Sequence, residues 1–181
     1  MTFPAQKLIL KNKKMSKRGY LTSAEYAAIR KTLGFTQQEA AEFHKVQNVR
    51  TIKRWENGDS WVSELACEKI TQLFKIINAQ VREACEIIAA DFDSKPKEEW
   101  DVAVLIQYPD ACYARFVTGI GNLPNSVHKT MVNRIYLSLT EQGYPVGIIM
   151  FNPQSYFSFL AANGREDSQE SRAIWAAAAY R

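Results

Sequence analysis

Cysteine and histidine are scarce in this sequence of 181 residues, which has three cysteines and two histidines. Cys67, Cys85 and Cys112 form no C-x-x-C pair, so we expect reduced, buried thiols instead of a disulfide framework or a zinc site. His44 and His128 lie far apart along the chain and in different predicted domains. We therefore expect no metal ion and no catalytic histidine pair.

Other signs of enzymatic chemistry are also missing. Gly119 and Gly121 form a lone G-x-G, without the further residues of a P-loop or a dinucleotide-binding fingerprint. No nucleophile stands in a recognisable pattern with a base. An enzyme housed in residues 100–181 is therefore the weakest of the functions considered, and no cofactor is expected.

Long hydrophobic runs are absent too. The longest, such as residues 146–151, are far too short to span a bilayer. Residues 1–10 lack the apolar segment and cleavage site of a signal peptide. These absences predict a cytoplasmic protein with no membrane partner.

The composition that remains is that of a folded protein with an uneven charge. With 46% hydrophobic residues, the chain can bury a core in one or two small domains. Residues 1–58 hold twelve Lys and Arg against four Glu, a net charge of +8, whereas residues 59–181 have a net charge of −4. Residues 1–20 carry six of these basic side chains and no acidic one, which predicts a flexible basic arm. The asymmetry favours an anion-binding module, and nucleic acid is the obvious anion.

Two capping boxes mark the first two helices. Thr22 with Glu25, and Thr36 with Glu39, are spaced so that each threonine caps a helix whose third residue is the glutamate. They predict one helix over 23–33, which ends at a glycine, and a second that ends before a short connection at 44–47.

A third helix and a long fourth helix follow. The third is predicted over 48–56, with three residues facing the core: Val49, Ile52 and Trp55. The fourth is predicted over 63–91, where apolar residues recur with 4-3-4-4-3-4 spacing: Ala66, Ile70, Leu73, Ile77, Val81, Ala84 and Ile88. A helix this long needs an apolar surface to lie on, and a second copy of the chain could supply it.

After a polar linker at 93–99, strands alternate with helices. Strands are predicted over 102–108 and 146–151, and helices over 125–140, 154–162 and 168–180. Two strands are too few for a stable sheet, so we expect residues 100–181 to form a small α+β lobe that dimerises the protein. Alternatively, the lobe binds a small effector in a pocket lined by its aromatic residues: Tyr108, Tyr113, Phe116, Tyr136, Phe151, Tyr156 and Phe159.

Two stretches together resemble a known DNA-binding pattern. LGFTQQEAAEF at 33–43, followed by TIKRWENG at 51–58, is similar to the Cro/phage-repressor type (XRE) of helix-turn-helix family. VRTIKRWENGDSWVSE, together with the C-terminal ESRAIWAAAAY, looks most like the YdiL-like group, which includes regulators associated with anti-CRISPR operons. The chain departs from the family by one extra residue between the two stretches, and Lys45 stands near the usual turn glycine.

The resemblance implies a fold and a function. The fold is mainly α, with a lambda-repressor-like helix-turn-helix bundle over 21–92 followed by the α+β dimerisation lobe. The function is sequence-specific binding of double-stranded DNA, by a homodimer on an inverted repeat, to repress transcription.

The resemblance also implies roles for individual residues. Arg50 matches the family's main base-reading position, and an arginine can fork onto guanine O6 and N7. Gln47 or Asn48 can pair with adenine, and the N-terminus of the second helix suits a phosphate. The predicted DNA-binding residues are Thr36, Gln37, Lys45, Gln47, Asn48, Arg50, Thr51, Lys53 and Arg54.

Two other interpretations stay open. The protein is an antitoxin-like module that binds DNA and also holds a protein partner through its lobe. Or it is a helical bundle whose charged face is merely solvated, as is true of most short helical pairs.

Overall fold

A computed structural model describes residues 20–117 and 123–180 of the chain. Within these ranges the chain is mainly helical, with one two-stranded parallel sheet, so the predicted mainly helical class is confirmed. The basic arm predicted up to residue 19 and the G-x-G at 119–121 lie outside the described residues.

The helices and strands lie within a few residues of their predicted bounds. In chain order they are α1 Ser23–Thr32, α2 Gln37–His44, α3 Val49–Asn57, α4 Glu64–Asp93, β1 Ala103–Gln107, α5 Asp110–Phe116, α6 Asn125–Glu141, β2 Val146–Met150, α7 Pro153–Asn163 and α8 Gln169–Ala179. A single 3-10 turn, Lys97–Glu99, lies in the predicted linker. Helix α5 was not predicted, because it has only seven residues and its N-cap, Pro109, provides no side-chain hydrogen bond.

Both predicted capping boxes are present. The N–H of Glu25 donates to the Thr22 hydroxyl at 3.2 Å, and the N–H of Thr22 donates to the Glu25 carboxylate at 2.7 Å. In the second box, the N–H of Glu39 donates to the Thr36 hydroxyl at 3.1 Å, and the N–H of Thr36 donates to the Glu39 carboxylate at 2.7 Å. Each box pairs backbone N–H groups that the first turn of a helix leaves free, which sets where α1 and α2 begin.

The apolar seam predicted along α4 is the buried side of that helix. Ile70 and Ile77 are almost fully buried, and α1 and α6 of the same chain supply the surface on which the seam lies. Val127 and Leu139 of α6 belong to the same hydrophobic core as Tyr26 of α1, so one core joins the N-terminal helices to the lobe. Two free thiols on α4 are buried as predicted, Cys67 and Cys85, while Cys112 is half-buried.

The two strands pair with each other inside the lobe. They run parallel, with Ala103 opposite Val146 and Gln107 opposite Met150. Helices α6 and α8 pack on this sheet, which explains how two strands persist within one chain. The helices that cover the sheet therefore come from the same chain, and the sheet needs no strands from a second copy.

The aromatic residues of the lobe form a second core. Five of the seven residues predicted to line an effector pocket are buried. Phe151 is central among them, with its ring centroid 4.7 Å from that of Phe116 and 5.2 Å from that of Tyr156. Trp175 of α8 closes the cluster, 5.3 Å from Phe151. These rings pack against one another, which is the arrangement of a core.

Candidate nucleic-acid interface

Helix α3 is held from beneath by two buried residues. Ile52 is fully buried, and Trp55 is 6% exposed. The Trp55 ring meets Tyr26 of α1 edge to face, with centroids 5.5 Å apart. Because Ile52 and Trp55 both point into the core, the opposite face of α3 points away from it, as the 49-52-55 spacing predicts.

The turn between α2 and α3 is built on Lys45. This residue ends α2 in the left-handed conformation, with φ 57° and ψ 37°. It is the one residue other than glycine with positive φ among the described residues. The Lys45 side chain is exposed, so a backbone position that glycine would favour carries an exposed cation beside the start of α3.

Asn48 begins α3 as its N-cap. Its side-chain oxygen Oδ1 accepts a hydrogen bond from the N–H of Arg50 at 2.8 Å. This cap uses part of the hydrogen-bonding capacity of Asn48, whereas the neighbouring Gln47 is exposed. Of the two residues predicted to read adenine, Gln47 is therefore the one whose side chain has more hydrogen-bonding capacity left for a base.

Most of the predicted DNA-binding residues lie at the surface. Seven are exposed: Thr36, Lys45, Gln47, Asn48, Arg50, Lys53 and Arg54. Thr51 is half-buried on the flank of α3. The exposed face of α3 thus carries three cations and no acidic side chain, because the one acid of that helix, Glu56, turns inward.

Gln37 has a different place from the one predicted. It is half-buried, and its side-chain amide donates a hydrogen bond to Glu56 at 2.7 Å. This contact occupies the side chain, so only the backbone N–H of Gln37 can serve the phosphate role predicted for it. The interaction joins residues 19 positions apart, which sequence spacing does not reveal.

Glu56 is the centre of a polar network that the sequence pattern did not predict. It forms a buried ion pair with Arg30 of α1, whose side chain also donates to the carbonyl of Phe35. Burial raises the pKa of Glu56, but hydrogen bonds from Arg30 and Gln37 outweigh it and hold the net pKa below its ordinary value. The carboxylate stays ionised and ties α1, α2 and α3 together.

The lobe meets the N-terminal helices away from the exposed face of α3. Gly34, in the turn between α1 and α2, has φ +83°, and a Cβ there would lie 2.1 Å from Thr130 Oγ1 and 2.6 Å from the Ser126 carbonyl. The Ser126 hydroxyl donates to Glu39 of α2 at 2.9 Å. These contacts fix α6 on the turn and on the start of α2, while the cations of α3 stay open to solvent.

Comparison with known proteins places the chain in one family. The sequence profile described as "Domain of unknown function (DUF4447)" matches residues 15–180, and the chain belongs to that family. No curated protein matches the chain.

Two further observations bear on the kind of site. Within residues 20–117 and 123–180, no helix combines the length and apolar character that crossing a membrane would require. In the same part of the chain, His, Cys, Asp and Glu side chains do not gather in groups of three that could hold a metal ion.

Proposed function

We propose that this protein is a sequence-specific DNA-binding regulator of transcription, a repressor that acts as a dimer on an inverted repeat. Helices α2 and α3 would serve as a helix-turn-helix of the lambda-repressor-like, XRE type, with α3 as the recognition helix. The proposal assigns the protein no catalytic activity and no cofactor. The observation that carries it is the solvent-open, wholly cationic and polar face of α3.

Several contacts suit α3 to enter a major groove. Ile52 and Trp55 hold it from below, and the Arg30–Glu56 pair fixes its last turn against α1. A recognition helix must be rigid, because base-edge hydrogen bonds tolerate little displacement. The small residues Ala40 and Ala41 are buried where α2 packs on the rest of the bundle, which allows close approach of the helices.

Base reading is assigned to the start of α3. Arg50 lies in its first turn and is exposed, so its guanidinium can donate to guanine O6 and N7 together. Gln47 precedes the helix and is free to pair with adenine N6 and N7. Each such bidentate pair discriminates against the wrong base by roughly 1–3 kcal/mol.

Phosphate contacts are assigned to the cations around this point. Lys45 lies on the turn before α3, and Lys53 and Arg54 lie one turn beyond Arg50. Thr36 and the backbone N–H of Gln37 lie at the start of α2, where unpaired N–H groups favour an anion. These contacts would set affinity and its salt dependence without reading sequence.

The decisive experiment selects binding sites for the full chain from random duplex DNA. We expect an inverted repeat with a fixed spacing between half-sites. Arg50→Ala should then lose roughly tenfold or more of the preference for the selected site over random DNA, and keep most of the salt-sensitive affinity. Lys53→Ala should weaken binding to both DNAs alike and flatten the salt dependence.

Arg165→Ala is the matched control, since Arg165 is an exposed arginine of the lobe, outside the proposed interface. It should leave both affinities as in the wild type. A chain that ignores duplex DNA at low salt, or an Arg50→Ala variant that loses both modes of binding equally, would contradict the proposal.

A further inference from the structure

A second stripe of apolar residues runs along α4, beside the buried seam, and this one faces solvent. Leu65, Ile76 and Ile87 are 60%, 48% and 64% exposed. They are spaced eleven residues apart, which is close to three full helical turns, so they lie on one face of the helix. Aliphatic side chains repeated in this way on an open face leave hydrophobic area in contact with water.

The residues between them complete a stripe that is symmetric about Ile76. At the helical positions of this face stand Leu65, Lys69, Gln72, Ile76, Gln80, Glu83 and Ile87. Four residues to either side of Ile76 is a glutamine. Seven residues away are Lys69 on one side and Glu83 on the other, and eleven residues away are Leu65 and Ile87.

An antiparallel copy of the same helix would match this pattern at every position. With a two-fold axis at Ile76, each Lys69 lies opposite the Glu83 of the other copy, and each Leu65 lies opposite its Ile87. Among the described residues neither Lys69 nor Glu83 forms a salt bridge within the chain. The axis would therefore give two new ion pairs and three aliphatic contacts.

We propose that two copies of this chain associate through this face of α4, antiparallel, about an axis at Ile76. A two-fold interface uses the same patch on both subunits and so must be complementary to itself, which the stripe is. A different partner would place no such demand on the sequence. Trp61, 81% exposed in the loop before α4, adds a further exposed apolar side chain near each end of the pair.

The geometry has a consequence that rests on the proposed function. Helix α4 begins at Glu64, twelve residues from the axis, which is about 18 Å along the helix. The two starts of α4, each attached to its own α1–α3 bundle, would lie about 36 Å apart along the paired helices. One turn of DNA separates half-sites by about 34–36 Å. The α4 pairing itself does not depend on DNA.

A charge exchange tests the pairing in the full chain, without DNA, by sedimentation equilibrium. Lys69→Glu places like charges opposite each other in both symmetric pairs, and so does Glu83→Lys. We expect each variant alone to associate roughly tenfold more weakly than the wild type. An equimolar mixture of the two should recover wild-type association, because opposite charges face each other again in the mixed pair.

Arg82→Glu is the matched control, because Arg82 is exposed on α4 but points about 120° away from the stripe. It should associate as the wild type does. A cysteine pair gives a second measurement. Ile76→Cys lies on the axis and should form a disulfide-linked dimer on mild oxidation, whereas the exposed Ala79→Cys, displaced along the helix from its own copy, should not.

The proposal is overturned by a wild-type monomer at micromolar concentration, by single variants that associate normally, or by a mixture that stays monomeric. The experiments separate failure of the α4 pairing from failure of DNA binding. A monomer that binds a single half-site would remove the α4 pairing and leave DNA binding. An α4-paired dimer that ignores duplex DNA would do the reverse.

Discussion

Arg30 of α1 and Glu56 of α3 form an ion pair whose two side chains are only 9% and 10% exposed. The pair crosses from the first helix of the chain to the helix proposed to enter DNA. Gln37 adds a hydrogen bond from α2, so three helices share one carboxylate. The orientation of α3 therefore depends on a polar contact as well as on Ile52 and Trp55.

Glu56→Gln should destabilise the protein by about 3 kcal/mol. The substitution removes one charge of a buried pair and leaves the Arg30 guanidinium without its counter-ion, which costs far more than loss of a surface pair. Chemical denaturation measures the effect. Glu86→Gln is the control, since Glu86 and its partner Arg82 are about 70% exposed and 3.9 Å apart. Equal losses in the free energy of unfolding for the two variants would show that the Arg30–Glu56 pair stabilises the fold no more than an exposed pair does.

Acid should destabilise the fold through His44. Burial, and to a lesser degree the charge of Lys69, lowers the pKa of His44 from 6.5 to about 4. The unfolded chain takes up a proton near pH 6.5 and the folded one only near pH 4, so stability is full above 6.5 and falls between these values. The His44 share of the loss is about 3 kcal/mol at pH 4.

Urea denaturation between pH 7 and pH 4.5 measures this slope, and His44→Phe should flatten it. The aromatic replacement suits the site, because His44 packs against the rings of Tyr26, Phe43 and Trp55. Burial also lowers the pKa of His128, so a smaller slope of the same sign should remain. An unchanged slope in His44→Phe would show that His44 is not the group responsible.

Lys45→Gly and Lys45→Ala should separate conformation from charge. Both remove the cation, so both should weaken DNA binding to the same degree. Only glycine adopts φ 57° without a steric cost, so Lys45→Gly should be more stable than Lys45→Ala by about 1 kcal/mol. Thermal unfolding and a DNA titration measure the two effects. Unequal DNA affinities would mean that the shape of the turn, more than its charge, determines binding.

Gly34→Ala tests the contact between the lobe and the N-terminal helices. Gly143 provides the control, because it has φ +87° and an added Cβ there would meet nothing within 4 Å. Alanine at either position has the cost of positive φ, but at Gly34 it also collides with Ser126 and Thr130. Gly34→Ala should be the less stable by a further 1–3 kcal/mol or so in denaturation experiments. Equal losses of stability for the two variants would indicate that α6 shifts away from Gly34 at little energetic cost.

Sequence spacing was sufficient for the features that depend on near neighbours. The capping boxes at Thr22 and Thr36 involve residues three apart, and the burial of Ile52 and Trp55 follows from one helical period. Interactions between distant residues could not be read in this way. The Arg30–Glu56 pair joins residues 26 positions apart, and the parallel pairing of β1 with β2 depends on how α6 packs between them.

Helix α4 shows a further reason why sequence spacing does not reveal contacts between distant elements. Its seam and its exposed stripe have the same 4-3-4-4-3-4 spacing and differ by one residue in position. Periodicity alone identified the seam correctly as apolar, but not the element that covers it. Among the nine predicted DNA-contact residues, the side chains of Thr36 and Asn48 form local helix caps, two or three residues from their partners. The side chain of Gln37 is instead bonded to Glu56, 19 positions away, which spacing could not reveal.

The Glu39 carboxylate hydrogen-bonds in two directions. One oxygen accepts from the Thr36 N–H and starts α2, and the other accepts from the Ser126 hydroxyl of α6. Helix α6 also covers the seam of α4. The two halves of this protein are therefore not interchangeable modules: a fragment cut after residue 95 would expose Ile77 and Val81 and would loosen the first turn of α2. Fusions and reporters built on this chain should keep residues 20–180 intact.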